Sequence, residues 1–377
     1  PSTLEADRRQ RQMCIRDSVP IILTVLVGQV VVRETRDDRR IGLDVPGAVT
    51  ATLGISTLVF AVIQGNEAGW TSPLILGGFI LSGLSLAAFV QVERRSEFPM
   101  LPLTFFRRRD FSASVAIIGL MFFAGPATFF FLTQFFQIVQ GRDPFEAGLL
   151  ILPNAGAIIV ASAVAPRLAA AIGPRRIVMV SVAIMATTMV LFTQVDAGWS
   201  AGPEIAVILV LGFGFGLGMP ALTDTIMAAV PVEDAGVGSA VNGVSRELGS
   251  ALGVAVLGSV INGIYRGNVD ERLTGVVDDE TVELALEGIG VVAAAVPTLP
   301  ESSGRFVLDE AGSAFVDAMN TGFWLSAAVM TSGVVIAAVL LPNRSRVDQV
   351  ERAVDDEMAL SPLDVTTPAL VATGRNG

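Results

Sequence analysis

Long apolar blocks that carry almost no charge constrain this chain more than any other feature. They run over residues 45–63, 74–92, 111–139, 145–169, 177–195, 205–230, 238–264 and 315–341. Each reaches or approaches the roughly 20 residues that a helix needs to cross a bilayer. In lipid a backbone must satisfy its own N–H and C=O groups, so such blocks become helices. A shorter block, 19–32, spans about 21 Å as helix and reads as the end of a truncated span. The expected fold is an all-α polytopic membrane protein with about eight full transmembrane helices plus one partial. Composition agrees: 52% of residues are hydrophobic and only 16% charged, against about 25% charged in soluble chains.

The remaining charge is organised. The net charge is −11, with acids gathered at 270–310 and 347–364, outside the apolar blocks. These stretches read as a solvated loop and tail, and the acidity gives no reason to expect a nucleic-acid partner. Every cationic side chain is Arg, and there is no Lys or His. Imidazole metal ligands, histidine proton relays and a lysine-dependent phosphate loop are thereby excluded. Cys14 is the only cysteine, so an intrachain disulfide is impossible. No catalytic constellation stands out, and neither enzyme activity, cofactor nor metal is expected. Residues 1–18 include Arg8-Arg-Gln-Arg-Gln-Met-Cys-Ile-Arg-Asp-Ser18, which resembles sequencing-adapter read-through and is set aside as a non-native artefact.

Arginines alternate between loops. Arg33, Arg36, Arg39, Arg40, Arg94, Arg95, Arg107, Arg108, Arg109, Arg167, Arg175, Arg176, Arg246, Arg344, Arg346 and Arg352 fall on one side of the alternation. The short loops of the other side hold only Arg142. The positive-inside rule makes the first side cytoplasmic. It predicts a multi-pass protein of the plasma (inner) membrane with a cytoplasmic tail at 342–377. Trp70 and Trp199 stand where interfacial anchors belong. Residues 267–309 read as a long extracytoplasmic polar loop with a weak apolar patch at 288–296.

Residues 205–261 carry the sharpest signals. Gly212, Gly216 and Pro220 recur every four residues, the small-residue spacing that lets helix backbones approach closely. Asp224 lies in a run otherwise free of charge. A carboxylate in a span is costly, which makes it a proton-coupling candidate. Its plainer reading is a structural ion pair or an interfacial residue. Arg246 and Glu247 lie about as far beyond the 231–236 turn as Asp224 lies before it. In an antiparallel hairpin Asp224 and Arg246 would reach similar depth and pair. The plainer reading of Arg246 and Glu247 is an interfacial pair. Gly125-Pro126, Phe130, Gln134 and Gln137 share a span, and Asn154 follows Pro153 in the next. Proline frees a carbonyl in a span. These amides and aromatics, with Asn242, are candidates to line a substrate cavity, although Phe facing lipid is an equal alternative.

Ile41-Gly-Leu-Asp-Val-Pro-Gly47, Gly69-Trp-Thr-Ser-Pro73 and Pro102-Leu-Thr-Phe-Phe-Arg-Arg-Arg-Asp-Phe111 resemble, in that order, the middle of the fourteen-span drug/proton antiporters of the major facilitator superfamily (EmrB/QacA type). Gly216-Leu-Gly-Met-Pro220, Ala235-Gly236, Asn242 and Arg246-Glu-Leu-Gly249 extend the resemblance. It implies a major-facilitator-type bundle lacking its N-terminal half. Residues 33–110 would hold two extra spans and a cytoplasmic linker, and 111–341 the C-terminal six-helix half. Gly173, Arg175 and Arg176 fit the family's gating loop, although its Asp is absent. The implied function is proton-coupled efflux of hydrophobic or amphipathic compounds, with lipid bilayer, protons, a small hydrophobic substrate and the missing N-terminal half as partners. The alternatives are a dedicated exporter of one endogenous metabolite and a truncated, non-transporting membrane fragment.

Overall fold

A computed structural model describes residues 24, 26–29, 44–96, 99–196, 198–298 and 300–342. The artefact expected at 1–18, most of the partial span at 19–32, the charged loop at 33–40 and the tail beyond 342 lie outside the described residues. Residues 24 and 26–29 are helical.

From Asp44 onward the described chain is helical throughout its regular structure. The helices are α1 (Val45–Ala68), α2 (Pro73–Arg95), α3 (Arg109–Gln134), α4 (Pro144–Ile172), α5 (Pro174–Phe192), α6 (Ala201–Ala229), α7 (Ala235–Leu273), α8 (Asp279–Glu287), α9 (Ile289–Ala295) and α10 (Glu301–Leu340). A wider π-type turn, Phe135–Val139, continues α3. Among the described residues, eight helices are long and apolar enough to cross a membrane. They coincide with the eight apolar blocks.

Local chemistry marks the starts. Asp44 accepts a hydrogen bond from Gly47 N at 2.9 Å and caps α1. Asp143 accepts from Phe145 N and Glu146 N at 2.8 and 2.9 Å and caps α4. Both helices have proline in their first turn, where its missing N–H costs nothing. Between α4 and α5 stands one residue, Gly173, at φ 89°, a conformation costly for any residue with a Cβ. Pro174 then opens α5. The expected gating loop is therefore a one-residue corner.

Small residues decide which helices meet. A Cβ on Gly212 would lie 2.5 Å from the Asn154 carbonyl oxygen, and one on Gly216 would lie 2.5 Å from that of Ile158, so both press α6 onto α4. Gly214 and Gly218 face Ile184, Met185 and Ser181 of α5 instead. Gly249 and Gly253 bring α7 against the backbone of Gly119 and Phe123 in α3. Pro220 removes the N–H that would bond the Gly216 carbonyl, and the Ser162 hydroxyl donates to that carbonyl at 3.1 Å. The α5 and α10 helices pack together, α10 also meets α3 and α7, and α1 packs on both α2 and α7. Phe111, Ile117, Met121, Met185, Leu211 and Phe323 belong to the core.

Two expectations change here. The α6 and α7 helices do not form a packed hairpin, for α6 lies on α4, α5 and α3 while α7 lies on α3 and α10. Nor is 267–309 a solvated loop. With 39 and 40 residues, α7 and α10 run about 58 and 60 Å, twice the hydrocarbon thickness of about 30 Å. Their outer turns and the intervening α8 and α9 form an ordered cap. Tyr265, Val269, Leu273, Val282, Ala285, Ile289 and Val292 are buried in it. The Tyr265 hydroxyl donates to the Ala285 carbonyl at 3.0 Å. Within each of the three helices these apolar residues recur at intervals of three or four, helical stripes too short and sparse to register as a membrane span.

Candidate functional site

The start of α3, the ends of α4, α6 and α10 and the start of α5 meet at one end of the bundle. They enclose a cavity of about 500 Å³ lined by Asp110, Pro166, Ala169, Arg175, Asp224 and Met227, among others. Asp224 is exposed to this space. Asp110 is held by Arg108, whose Nη2 donates to its Oδ2 at 2.7 Å. That bond pushes the Arg108 guanidinium pKa further up. Arg108 also donates to the Ala229 carbonyl at 3.1 Å, closing the end of α6. Arg175 donates to the Ala338 carbonyl near the end of α10. Both guanidinium groups thus sit on helix C-termini, where backbone dipoles favour cations.

Asp224 and Arg246 do not pair. Arg246 stacks over the Phe122 ring of α3, 5.6 Å from its centroid. The glycine seams explain this. Arg246, Gly249 and Gly253 share one face of α7, which is turned toward α3. Asp224 shares a face of α6 with Ala221, Thr225 and Ala228, which looks into the cavity. The link between the two helices is nearer their turn, where Asn242 Nδ2 donates to Thr223 Oγ1 at 3.4 Å. Asn242 is buried, and its Oδ1 has no hydrogen-bond partner among the described residues. Glu247 is exposed.

The other candidates scatter. Asn154 joins Gly125, Pro126, Phe129, Ile158, Leu211 and Phe215 around a small cavity of about 110 Å³ between α3, α4 and α6. Its Oδ1 is buried without a hydrogen-bond partner among the described residues. Gln134 and Gln137 are half-buried at the far end of α3 and do not line that cavity. Phe130 is exposed on the bundle surface, edge-on to Phe131. Gly173 is the corner described above, Arg175 reaches α10, and Arg176 is exposed.

Two groupings escaped the sequence reading. Asp110 follows three arginines and looks like part of a surface charge run. Only the fold brings it into the cavity with Asp224. At the opposite end, Arg142 Nη2 donates to Glu204 Oε2 at 3.0 Å, and Gln140 Nε2 to Glu204 Oε1 at 2.5 Å. Glu204 is only 3% exposed. Arg142 and Glu204 stand 62 positions apart, so no local spacing could join them.

The chain matches the sequence profile of the Major Facilitator Superfamily over residues 25–254. It is 31% identical over 304 residues to the multidrug efflux pump LfrA of Mycolicibacterium smegmatis, a match covering 79% of this chain and 59% of that protein. It is 32% identical over 248 residues to the multidrug resistance protein Stp of Mycobacterium tuberculosis, covering 66% of this chain and 46% of that protein. Against the tetracenomycin C resistance and export protein of Streptomyces glaucescens, identity is 29% over 354 residues, covering 90% and 64% respectively. The chain thus spans between 46% and 64% of the length of these relatives. The profile match covers more than half of the chain, and the eight membrane-length helices fit it: this multi-pass membrane protein belongs to the major facilitator superfamily.

Proposed function

We propose that this chain belongs to a proton-coupled exporter of hydrophobic or amphipathic compounds of the fourteen-span drug/proton antiporter type, acting in the plasma membrane. The observation that carries this reading is Asp224, a carboxylate on a membrane helix that opens into a cavity and has no cationic partner in hydrogen-bond range among the described residues. A carboxylate so placed can hold a proton in one state and release it in another. Kinship with multidrug efflux and resistance proteins supports the same reading. The α1–α2 pair ahead of a six-span block supports the fourteen-span plan. Transport by alternating access needs two halves rocking about a shared site, so the activity is proposed for a protein of its relatives' length.

Dye efflux from everted vesicles tests the coupling. An uncoupler should abolish efflux, and Asp224→Asn should leave any residual efflux insensitive to external pH. Coupled efflux with unchanged pH dependence in Asp224→Asn would remove Asp224 from the mechanism. A second reading, a dedicated exporter of one endogenous compound, is favoured by kinship with the tetracenomycin C resistance and export protein. Competition among structurally unrelated dyes separates the two, since a dedicated exporter would respond to one chemical type alone.

A further inference from the structure

We propose that the linker from α2 to α3 is a docking site for the phosphate headgroup of an anionic phospholipid, whose chains lie along the open face of α2. Residues 96–108 connect two membrane-length helices, so they run at the level of the headgroups that border the hydrocarbon core. The linker is pinned there. Glu93, buried in the last turn of α2, accepts from the Leu101 N–H at 3.2 Å and turns the chain back onto that helix. Leu101 and Phe105 pack on the core. The Phe105 and Phe106 rings stand 5.9 and 5.2 Å from that of Phe111, and the Ser112 hydroxyl donates to the Phe106 carbonyl at 2.6 Å.

What this anchoring leaves outside is basic. Arg94, Arg95, Arg107 and Arg109 are exposed, and none of them makes an ion pair among the described residues. The described acids beside them are engaged, Glu93 with the linker backbone and Asp110 with Arg108 at 2.7 Å. Arg109 is the first residue of α3. The positive end of a helix disfavours a cation and favours an anion, so a phosphate at this point relieves an opposition between Arg109 and its own helix. Guanidinium groups meet phosphate oxygens through paired N–H bonds. Met100 and Phe106 stay exposed among the arginines, and apolar side chains beside cations suit the boundary between headgroup and acyl chain. The α2 helix packs on α1 and leaves Ile80, Leu81 and Leu84 open to the chains of such a lipid. A free anion would use the arginines alone, whereas a phospholipid uses both surfaces.

The test measures, by native mass spectrometry of the purified full chain in neutral detergent, the binding of dioleoylphosphatidylglycerol and dioleoylphosphatidylcholine, which share their chains and differ in charge. Phosphatidylglycerol should bind more tightly. The double variant Arg107→Gln, Arg109→Gln should weaken it about twenty-five-fold, a factor of about five for each arginine near an anionic headgroup, and should leave phosphatidylcholine unchanged. Lysine at both positions should restore most of the loss. Arg167→Gln removes an exposed arginine outside the linker and should have no effect. Equal binding of the two lipids would overturn the proposal, as would a loss in Arg167→Gln as large as that in the linker variant, which would trace the preference to overall charge. Displacement of phosphatidylglycerol by millimolar inorganic phosphate would make the linker a site for the free anion and overturn the lipid assignment. No transport is measured, so failure of the efflux reading would leave this site standing.

Discussion

A single side chain here acts through what its helix end offers it. Asp278 accepts from the Thr281 N–H at 3.0 Å and from the Thr281 hydroxyl at 2.9 Å, capping α8. Those bonds favour its charged form and hold its pKa below the usual carboxylate value. A depressed folded pKa means that the cap contributes fully above the unfolded pKa, about 3.9, and is lost as pH falls through the folded value. Hydrogen-exchange protection at Thr281 and Val282 should therefore drop below about pH 4. Asp278→Ala should show low protection at every pH, and equal protection in both proteins would mean that α8 does not depend on this cap. At this scale the sequence was informative about type and silent about partner. Asp224 stands out as a lone acid in an apolar run, but that it turns away from Arg246 depends on which way each helix faces. Asp110 and Glu204 were hidden by neighbours or by 62 positions of separation.

At the scale of the element, glycine sets the distances. A Cβ on Gly253 would run into the Phe123 backbone of α3, whereas one on Gly243 would meet nothing. Gly253→Ala should cost about 1–3 kcal/mol, as overpacking does, and should lower Tm in detergent. Gly243→Ala should be neutral or stabilising by up to about 1 kcal/mol. If both behave alike, the α3–α7 seam is not where the glycines act. The Arg142–Glu204 pair joins the turn after α3 to the start of α6. Arg142→Met strands a buried carboxylate and should cost about 3 kcal/mol. Adding Glu204→Gln should recover most of that loss, and a double variant no better than the single would argue against the pair. The four-residue spacing of Gly212, Gly216 and Pro220 was visible in advance. That alternate glycines divide between α4 and α5 was not, because periodicity locates a face without naming its neighbour.

For the whole molecule, the helices sort their ends by charge. Arg108, Arg109, Arg167, Arg175 and Arg176 gather at the end that holds the large cavity, and the acidic cap of α8 and α9 stands at the other. The positive-inside rule then predicts that Arg176 faces the cytoplasm and Asp279 the exterior. On a Cys14→Ser background, Arg176→Cys should react with a membrane-impermeant maleimide only after cells are permeabilised. Asp279→Cys should react in intact cells, and the reverse pattern would invert the topology. The cap is the clearest failure of hydropathy alone. Its stripe of Tyr265, Val269, Leu273, Val282 and Ile289 is diluted by acids, so a segment that packs as core reads as a loop.

The sequence by itself determined that eight segments are long and apolar enough to cross a membrane as helices, and roughly where they lie, although α7 and α10 run on past their apolar blocks into the cap. Hydropathy, caps and prolines are local properties, and lipid leaves the backbone no other way to satisfy its hydrogen bonds. Tertiary structure alone decided which faces meet, that Asp224 opens into a cavity shared with Asp110 and Arg175, and that Arg246 rests on Phe122. Those outcomes depend on backbone approach between helices far apart in the chain. A small residue permits such an approach without specifying the partner.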